Sequence, residues 1–157
     1  MTVAVINSEV SAKVGEDAVI ETGALTLEAT SDIDSTVKSG AAAEATDLAV
    51  GASILVNVVN SKTDAKLGGE KITAEAVSVK AADTANQKLT ASGGGSGASG
   101  AYIAVAVIKQ SSAAQVTGIP ELSGSSLSVT STQTNATTVE AVSGSGEAET
   151  EEGTSEE

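Results

Sequence analysis

The sequence has no cysteine, histidine, arginine, phenylalanine or tryptophan, and its single tyrosine is Tyr102. Without cysteine no disulfide can form, and without cysteine and histidine the thiolate and imidazole ligands of zinc and copper sites are missing. The Cys-His and Ser-His-Asp arrangements of nucleophilic enzymes are excluded for the same reason. Since aromatic rings supply much of the buried area of ordinary cores, this core must be narrow and aliphatic, as in stacked β-strands.

Positive charge is also scarce. The chain has 8 lysines against 21 acidic residues, a net charge of −13. Nucleic-acid binding relies on clustered cations, usually including arginine, and attraction to an anionic membrane also needs basic clusters. The sequence therefore predicts neither partner. Seven of the glutamates lie at or after Glu140, and the segment 147–157 is apolar only at Ala148, so we predict a disordered acidic tail there.

No targeting or membrane-spanning pattern is visible in the sequence. Met1 runs directly into a strand-like phrase without a basic segment and an apolar segment, and the longest apolar runs are only a few residues. The length of 157 residues suits one compact domain or a piece of a larger array. We expect an internal segment of an exported protein, with residues 1–146 forming one structural unit.

One strand-like phrase occurs three times, and a shorter phrase follows each copy. The first set is Val3-Ala4-Val5-Ile6-Asn7, Val56-Asn57-Val58-Val59-Asn60 and Val105-Ala106-Val107-Ile108-Lys109, and the second is Leu25-Thr26-Leu27, Val77-Ser78-Val79 and Leu127-Ser128-Val129. A period of about 50 residues indicates a repeat architecture, with repeats at about 2–53, 54–102 and 103–146. Apolar residues recur every second position within each repeat, which indicates strands.

The alternation predicts strands with two different faces. We expect large aliphatic residues to point inward and small or hydroxyl residues to point outward, including the set Thr26, Ser78 and Ser128 and the set Ala4, Asn57 and Ala106. The predicted fold is all-β: a parallel β-helix, or β-solenoid. With two coils of about 25 residues per repeat, it would have about five or six coils.

Short turns and glycine-rich stretches separate the strand phrases. Turns are predicted at Glu16-Asp17 and at Thr22-Gly23. The stretch Ser92–Gly100 is either a flexible linker or a tightly wound part of a coil where only small residues fit between stacked backbones. We favour the second interpretation, because similar stretches at 40–53 and 143–146 occupy the same place in each repeat. Tyr102 should then pack at the edge of such a stretch.

Four features of the sequence are candidate sites. Asp32 and Asp34 could form a calcium site or a carboxylate pair of a glycosidase, but a solvated turn is the simpler interpretation. Gly93–Gly100 lacks the Gly-Lys-Ser/Thr ending of a phosphate loop. The threonine-rich run Thr130–Thr138 could bind ice only if the other repeats extended it, and they do not. Asn7 and Asn60 share a repeat position and predict a structural asparagine ladder that Lys109 interrupts.

The phrase LAVGASILVNVVNSKTDAKLGG at 48–69 resembles the repeats of giant bacterial exoproteins of the filamentous haemagglutinin and leukotoxin-like type. Val50-Gly51-Ala52-Ser53 and the segment 57–68 carry the resemblance. The segment 3–15 follows the same pattern, and the third repeat follows it loosely because Lys109-Gln110 replaces Asn-Ser. This resemblance implies a right-handed parallel β-helix, secreted and displayed at the cell surface, that forms a shaft without catalytic residues.

The sequence therefore predicts a structural repeat segment of an adhesin-like bacterial surface protein, with no catalytic, cofactor-binding or metal-binding residues. Its expected partners are the flanking repeats of the parent protein, end-to-end copies of itself, and a host or cell-surface receptor reached through other regions. Two alternatives remain open. One is a carbohydrate-binding or carbohydrate-active β-helix, and the other is a self-assembling extracellular filament or matrix subunit, since exposed end strands invite stacking.

Overall fold

The computed structural model describes residues 1–41, 49–94 and 98–144. These residues are almost entirely β-strand, and none of them lies in a helix. The strands are β1 (Thr2–Val14), β2 (Val19–Ala41), β3 (Ala49–Leu67), β4 (Lys71–Gly94), β5 (Ala98–Val116), β6 (Glu121–Ser123) and β7 (Ser126–Gly144). The expected all-β class is confirmed. The predicted tail at 147–157 and parts of the small-residue stretches lie outside the described residues.

The strands form two sheets, and every pairing in them is parallel. Sheet A has the order β1-β3-β5. In sheet B, β4 is central, with β2 on one edge and both β6 and β7 on the other. From β1 to β6, successive strands along the chain therefore alternate between the sheets, and β7 follows β6 in sheet B. This alternation is how parallel neighbours are connected without a hairpin.

The register pairs equivalent positions of the repeated phrases. Thr2 lies beside Leu55, 53 residues apart, and Val19 beside Lys71, 52 apart. The separation is 49 between β3 and β5 and 50 between β4 and β7. The expected coil of about 25 residues, and with it the estimate of five or six coils, is therefore wrong. Most of these strands are 19 to 24 residues long, so one strand in each sheet already uses most of a 50-residue repeat.

Short turns join the sheets and also stack on one another. The turn after β1 is closed by the Ala18 amide donating to Gly15 O at 3.3 Å, as predicted for Glu16-Asp17. The Gly68 amide donates to Val14 O at 3.1 Å and the Glu70 amide to Ala18 O at 2.9 Å, so the turn after β3 lies on the turn after β1. The turn predicted at Thr22-Gly23 is wrong, because pairing with β4 carries β2 straight through these residues.

Sheet B has the predicted faces. Val77 and Val79 are 3% and 0% exposed and pack inward with Leu25 and Leu27. The hydroxyl residues between them, Thr26, Ser78 and Ser128, lie on the outer face. Alternation of aliphatic and hydroxyl residues therefore identifies the core side of this sheet correctly.

Sheet A has the opposite arrangement over the Val-rich phrase. Ala4 and Ala106 face inward, and Asn57 is 0% exposed, whereas Val5 is 57% and Val105 is 42% exposed. The prediction that Ala4, Asn57 and Ala106 point outward is wrong. A strand has only two faces, so a shift of one residue in the assignment exchanges every side chain between core and solvent.

The interior between the sheets alternates between polar and apolar layers. One polar layer contains Asn57, whose Nδ2 donates to Ser35 Oγ at 2.9 Å, and in another the Ser53 Oγ donates to Ser39 Oγ at 2.7 Å. Between and beside them lie apolar residues such as Val59 and Leu55, both fully buried. Hydrogen bonds across the gap lower the cost of burying these hydroxyl and amide groups.

Tyr102 packs where Gly51, Gly93 and Gly100 leave room for its ring. It lies against the buried cluster of Leu55, Leu89 and Ala91. A methyl group added at Gly93 would collide with the ring, and one added at Gly51 would lie 3.4 Å from the Tyr102 hydroxyl. Small residues are required here by the close approach of the ring and of neighbouring strands. The expected position of Tyr102 is confirmed.

Candidate functional site

A groove lies on the outer face of sheet A and has a volume of about 380 Å³. It crosses all three strands of the sheet. Each strand contributes three consecutive residues, which are 7–9 in β1, 60–62 in β3 and 109–111 in β5. Its volume falls in the range of small-ligand sites, about 300–1,000 Å³.

The parallel register builds the groove directly from the sequence. Asn7, Asn60 and Lys109 are paired neighbours and form one wall. The next outward positions, two residues along each strand, carry Glu9, Lys62 and Ser111 and form the other wall. The residues between the two rows point their side chains inward, so backbone forms the floor. The groove therefore runs across the strands, along the direction in which they are stacked.

The first wall is an amide ladder that ends in an ammonium group. Asn60 Nδ2 donates to Asn7 Oδ1 at 2.7 Å, which confirms the predicted asparagine ladder. Lys109 occupies the third place in this row. Lys109 has no carboxylate within ion-pair distance in the part of the chain that the structure describes. The row therefore leaves amide groups and one uncompensated cation facing the groove.

The second wall carries a compensated cation. Lys62 Nζ lies 3.0 Å from Asp64 Oδ2 and 3.3 Å from Glu9 Oε1. Hydrogen bonds to Asp64 and to Glu9 raise the pKa of Lys62 above its usual value and so favour the charged form of its ammonium group. Lys62 and Glu9 are exposed and Asp64 is only partly buried, so both ion pairs contribute little to folding, but they hold Lys62 at the rim of the groove.

A chain of hydrogen bonds supports the floor from inside. Ser8 and Ser31 hydroxyls lie 3.4 Å apart, Ser31 and Ser61 lie 3.2 Å apart, and the Ser61 Oγ donates to Asp83 Oδ1 at 2.8 Å. Gln110 Nε2 then donates to the backbone carbonyl of Asp83 at 3.3 Å. Each of the strands β1 to β5 thus contributes one polar side chain to this hydrogen-bonded layer. The layer holds β1, β3 and β5, which form the groove, in place.

Some polar atoms in the interior have no partner among the described residues. They are Asn57 Oδ1, Thr63 Oγ1, Asp83 Oδ2 and Gln87 Oε1. An unpaired buried polar atom costs about 1–3 kcal/mol. The interior is therefore less favourable than an aliphatic core, and Asp83 adds a carboxyl group that is only 1% exposed.

Aliphatic rows lie directly beside the amide wall on the same outer face. Val5, Val58 and Val107 form the adjacent row, and the next rows along the strands contain Val3, Val56 and Val105, and then Ile54 and Ile103. Ile103 is 50% exposed, and Ile54 is 41% exposed. A contiguous aliphatic surface of this kind is unusual on a soluble protein and commonly marks a contact surface.

The charge of the two sheets differs in sign. The strands of sheet A carry four lysines and two carboxylates, a net charge of +2. The strands of sheet B carry four lysines and eight carboxylates, a net charge of −4. The groove thus lies on a locally positive face of a protein whose net charge is −13.

The residues that the sequence offered as candidate sites lie elsewhere. Asp32 and Asp34 lie on the outer face within β2, so the solvated turn expected there is wrong; Asp34 Oδ1 accepts a hydrogen bond from Asn86 Nδ2 at 2.8 Å. The threonines of Thr130–Thr138 lie beside Lys80, Ala82, Thr84, Gln87 and Lys88, so they do not continue into a threonine array. Within the described ranges, no three potential metal-ligating His, Cys, Asp or Glu side chains form a cluster.

Sequence reasoning treated the Asn7–Asn60 row as purely structural and did not identify the groove. The signal in the sequence was Lys109, a cation that replaces asparagine at a repeated position.

Comparisons with protein-family models, with curated proteins and with solved structures find no match to this chain. No helix long and apolar enough to span a membrane occurs in the part of the chain that the structure describes.

Proposed function

We propose that this chain is a structural shaft segment of a large secreted or cell-surface bacterial protein of the filamentous haemagglutinin and leukotoxin-like type. In this proposal the strands wind as a right-handed parallel β-solenoid with one coil per repeat of about 50 residues. The segment has no catalytic chemistry of its own. Its task is to hold a recognition region away from the cell surface.

The observation that carries this proposal is the pairing of the repeats. Thirteen consecutive residues of β1 pair in register with β3, and nineteen of β3 pair with β5. The two sheets face each other, and successive strands from β1 to β6 alternate between them. Connections between parallel strands of one sheet are right-handed in about 98% of cases, which supports the proposed hand of the coil.

The edges of both sheets support the proposed partners. Among the described residues, β1, β2, β5 and β7 each pair along one edge only. An unpaired edge offers backbone amides and carbonyls to another strand. Flanking repeats of a parent protein would continue both ladders, and copies of this chain could do the same in the alternative of a self-assembling filament.

A shaft must be a rod that lengthens without thickening. We expect a direct fusion of two copies to extend the stack by about 14 Å, which corresponds to three strands at ~4.8 Å. This growth lies along the stacking direction, at right angles to the strands, so the dimension set by the strand length should stay the same. Small-angle X-ray scattering on both proteins, at concentrations where each is monomeric by light scattering, would measure length and cross-section. Two globular bodies that move independently in the fusion would contradict the shaft proposal.

The alternative of a carbohydrate-binding protein has one specific observation in its favour. The groove on sheet A has a continuous row of amide and ammonium groups beside an aliphatic surface. Carbohydrate binding at this groove is independent of the shaft role and compatible with it.

A further inference from the structure

We propose that the groove on the outer face of sheet A is a binding site for an acidic linear glycan that contains uronic acid units. The glycan would lie across β1, β3 and β5, along the stacking direction, with a carboxylate at Lys109. The site goes beyond the structural role proposed above and does not depend on it.

The first argument is the shape and position of the groove. It is a concavity of about 380 Å³ that extends across all three described strands of the sheet. Strands repeat every ~4.8 Å across the groove. One pyranose unit of an extended glycan adds nearly the same length, so successive sugars can meet successive strands in equivalent positions.

The second argument is charge. Lys109 is a wall residue without a carboxylate partner among the described residues, whereas Lys62 on the opposite wall is held between Glu9 and Asp64. The strands of this sheet carry a net charge of +2 on a chain with a net charge of −13. An anionic group is therefore favoured at Lys109, and a charge-assisted hydrogen bond is stronger than a neutral one.

The third argument distinguishes a glycan from other anionic polymers. The floor strand β3 is paired on both sides, so an extended peptide finds no free backbone groups there. The chain has no arginine, and its one aromatic residue packs in the interior, so base stacking and bidentate phosphate contacts are absent. Amide groups of Asn7 and Asn60 suit sugar hydroxyls, and the row Val5, Val58 and Val107 can cover the C–H face of a sugar ring.

The test uses the full chain and a galacturonic acid hexasaccharide, with its fully methyl-esterified form as a neutral ligand of the same shape. Isothermal titration calorimetry at low ionic strength should give a Kd below about 1 mM for the acid and at least about tenfold weaker binding for the ester. Added salt should weaken binding of the acid, because screening reduces the attraction at an exposed cation.

Two variants with the same change of charge locate the site. Lys109→Gln should weaken binding of the acid at least about tenfold, whereas Lys88→Gln should change it less than twofold. Lys88 lies on the outer face of β4 and is exposed. Both substitutions are on the surface, and unchanged circular dichroism spectra would show that both variants are folded. Asn60→Ala should weaken the acid and the ester alike, since it removes the amide ladder.

Three results would overturn the proposal. These are no binding of the acid at millimolar concentration, equal affinity for acid and ester, or equal losses in the Lys109 and Lys88 variants. Equal losses would mean that the overall charge of the protein, and not the groove, determines the affinity for the glycan. None of these results bears on rod-like lengthening of the two-copy fusion, so failure of the glycan site and failure of the shaft role are distinguishable.

Discussion

Val58 and Val59 are consecutive residues of β3 in opposite surroundings. Val59 is 0% exposed and lies between the two sheets, whereas Val58 belongs to the aliphatic row on the outer face. Both are β-branched and suit a strand equally well. Only the packing around them differs, so the same substitution at both positions measures which face of sheet A is the core.

We predict that Val59→Thr lowers the free energy of unfolding by about 1–3 kcal/mol, because it buries a hydroxyl group in an apolar layer. Val58→Thr should change it by no more than about 0.5 kcal/mol, since its hydroxyl can reach water. Urea unfolding followed by circular dichroism would measure both. If Val58→Thr lowered the free energy of unfolding more than Val59→Thr, the Val-rich phrase would face inward, as the alternation of apolar residues predicted.

The sequence analysis assigned the wrong inward face to sheet A, and the positions of the aliphatic residues in β1 explain why. Val3 and Val5 occupy odd positions, and the later aliphatic run Val10, Ala12 and Val14 occupies even positions. Because β1 is one continuous strand, only one of these sets can face inward. The even set does, which leaves the Val-rich phrase outside and brings Ser8 and Asn57 of the paired strands inside. The groove was missed for the same reason, since its position depends on which face is exposed.

At the scale of elements, the sequence predicted the pairing of strands well and the turns less well. Offsets of 49 to 53 between the repeated phrases are the offsets of the ladders. Turn residues were less informative, since Thr22-Gly23 and Asp32–Asp34 lie inside β2. Long ladders override local turn preference, because each residue in a paired strand gains a backbone hydrogen bond that a turn would sacrifice.

The close packing of glycines around Tyr102 leads to a prediction about strand contacts. A Cβ atom at Gly93 would lie 2.6 Å from Ala41 O and would collide with the Tyr102 ring. We predict that Gly93→Ala destabilises the protein by about 1–3 kcal/mol, as expected for overpacking. Thermal unfolding followed by circular dichroism would measure the loss.

Gly40 provides the matched control for this prediction. It also lies in a strand of sheet B, and the nearest atom to an added Cβ is Ser92 O at 4.0 Å. Gly40→Ala should be neutral or slightly stabilising, because it reduces the conformational freedom of the unfolded chain. If both variants lost the same stability, the effect would come from the strand backbone in general, and the close packing at Tyr102 would not be its cause.

At the scale of the whole molecule, stability depends on contacts between residues about 50 positions apart. β1 and β2 do not pair with each other, and every ladder hydrogen bond that they make goes to β3 or β4. A single repeat therefore has two strands and no ladder. Its aliphatic residues alone cannot offset the loss of conformational entropy on ordering, which is about 1–2 kcal/mol per residue for the backbone.

We predict that a fragment of residues 1–53 is unfolded, whereas a fragment of residues 1–94 forms β structure with a cooperative thermal transition below that of the full chain. The longer fragment keeps the β1–β3 and β2–β4 ladders, and the shorter one keeps neither. Far-UV circular dichroism and thermal melts of the three proteins would compare them, with light scattering to show that each is monomeric. A β spectrum and a cooperative melt for monomeric 1–53 would mean that each repeat folds on its own. Stability would then not arise from stacking, and the proposed shaft would become a row of independent small domains.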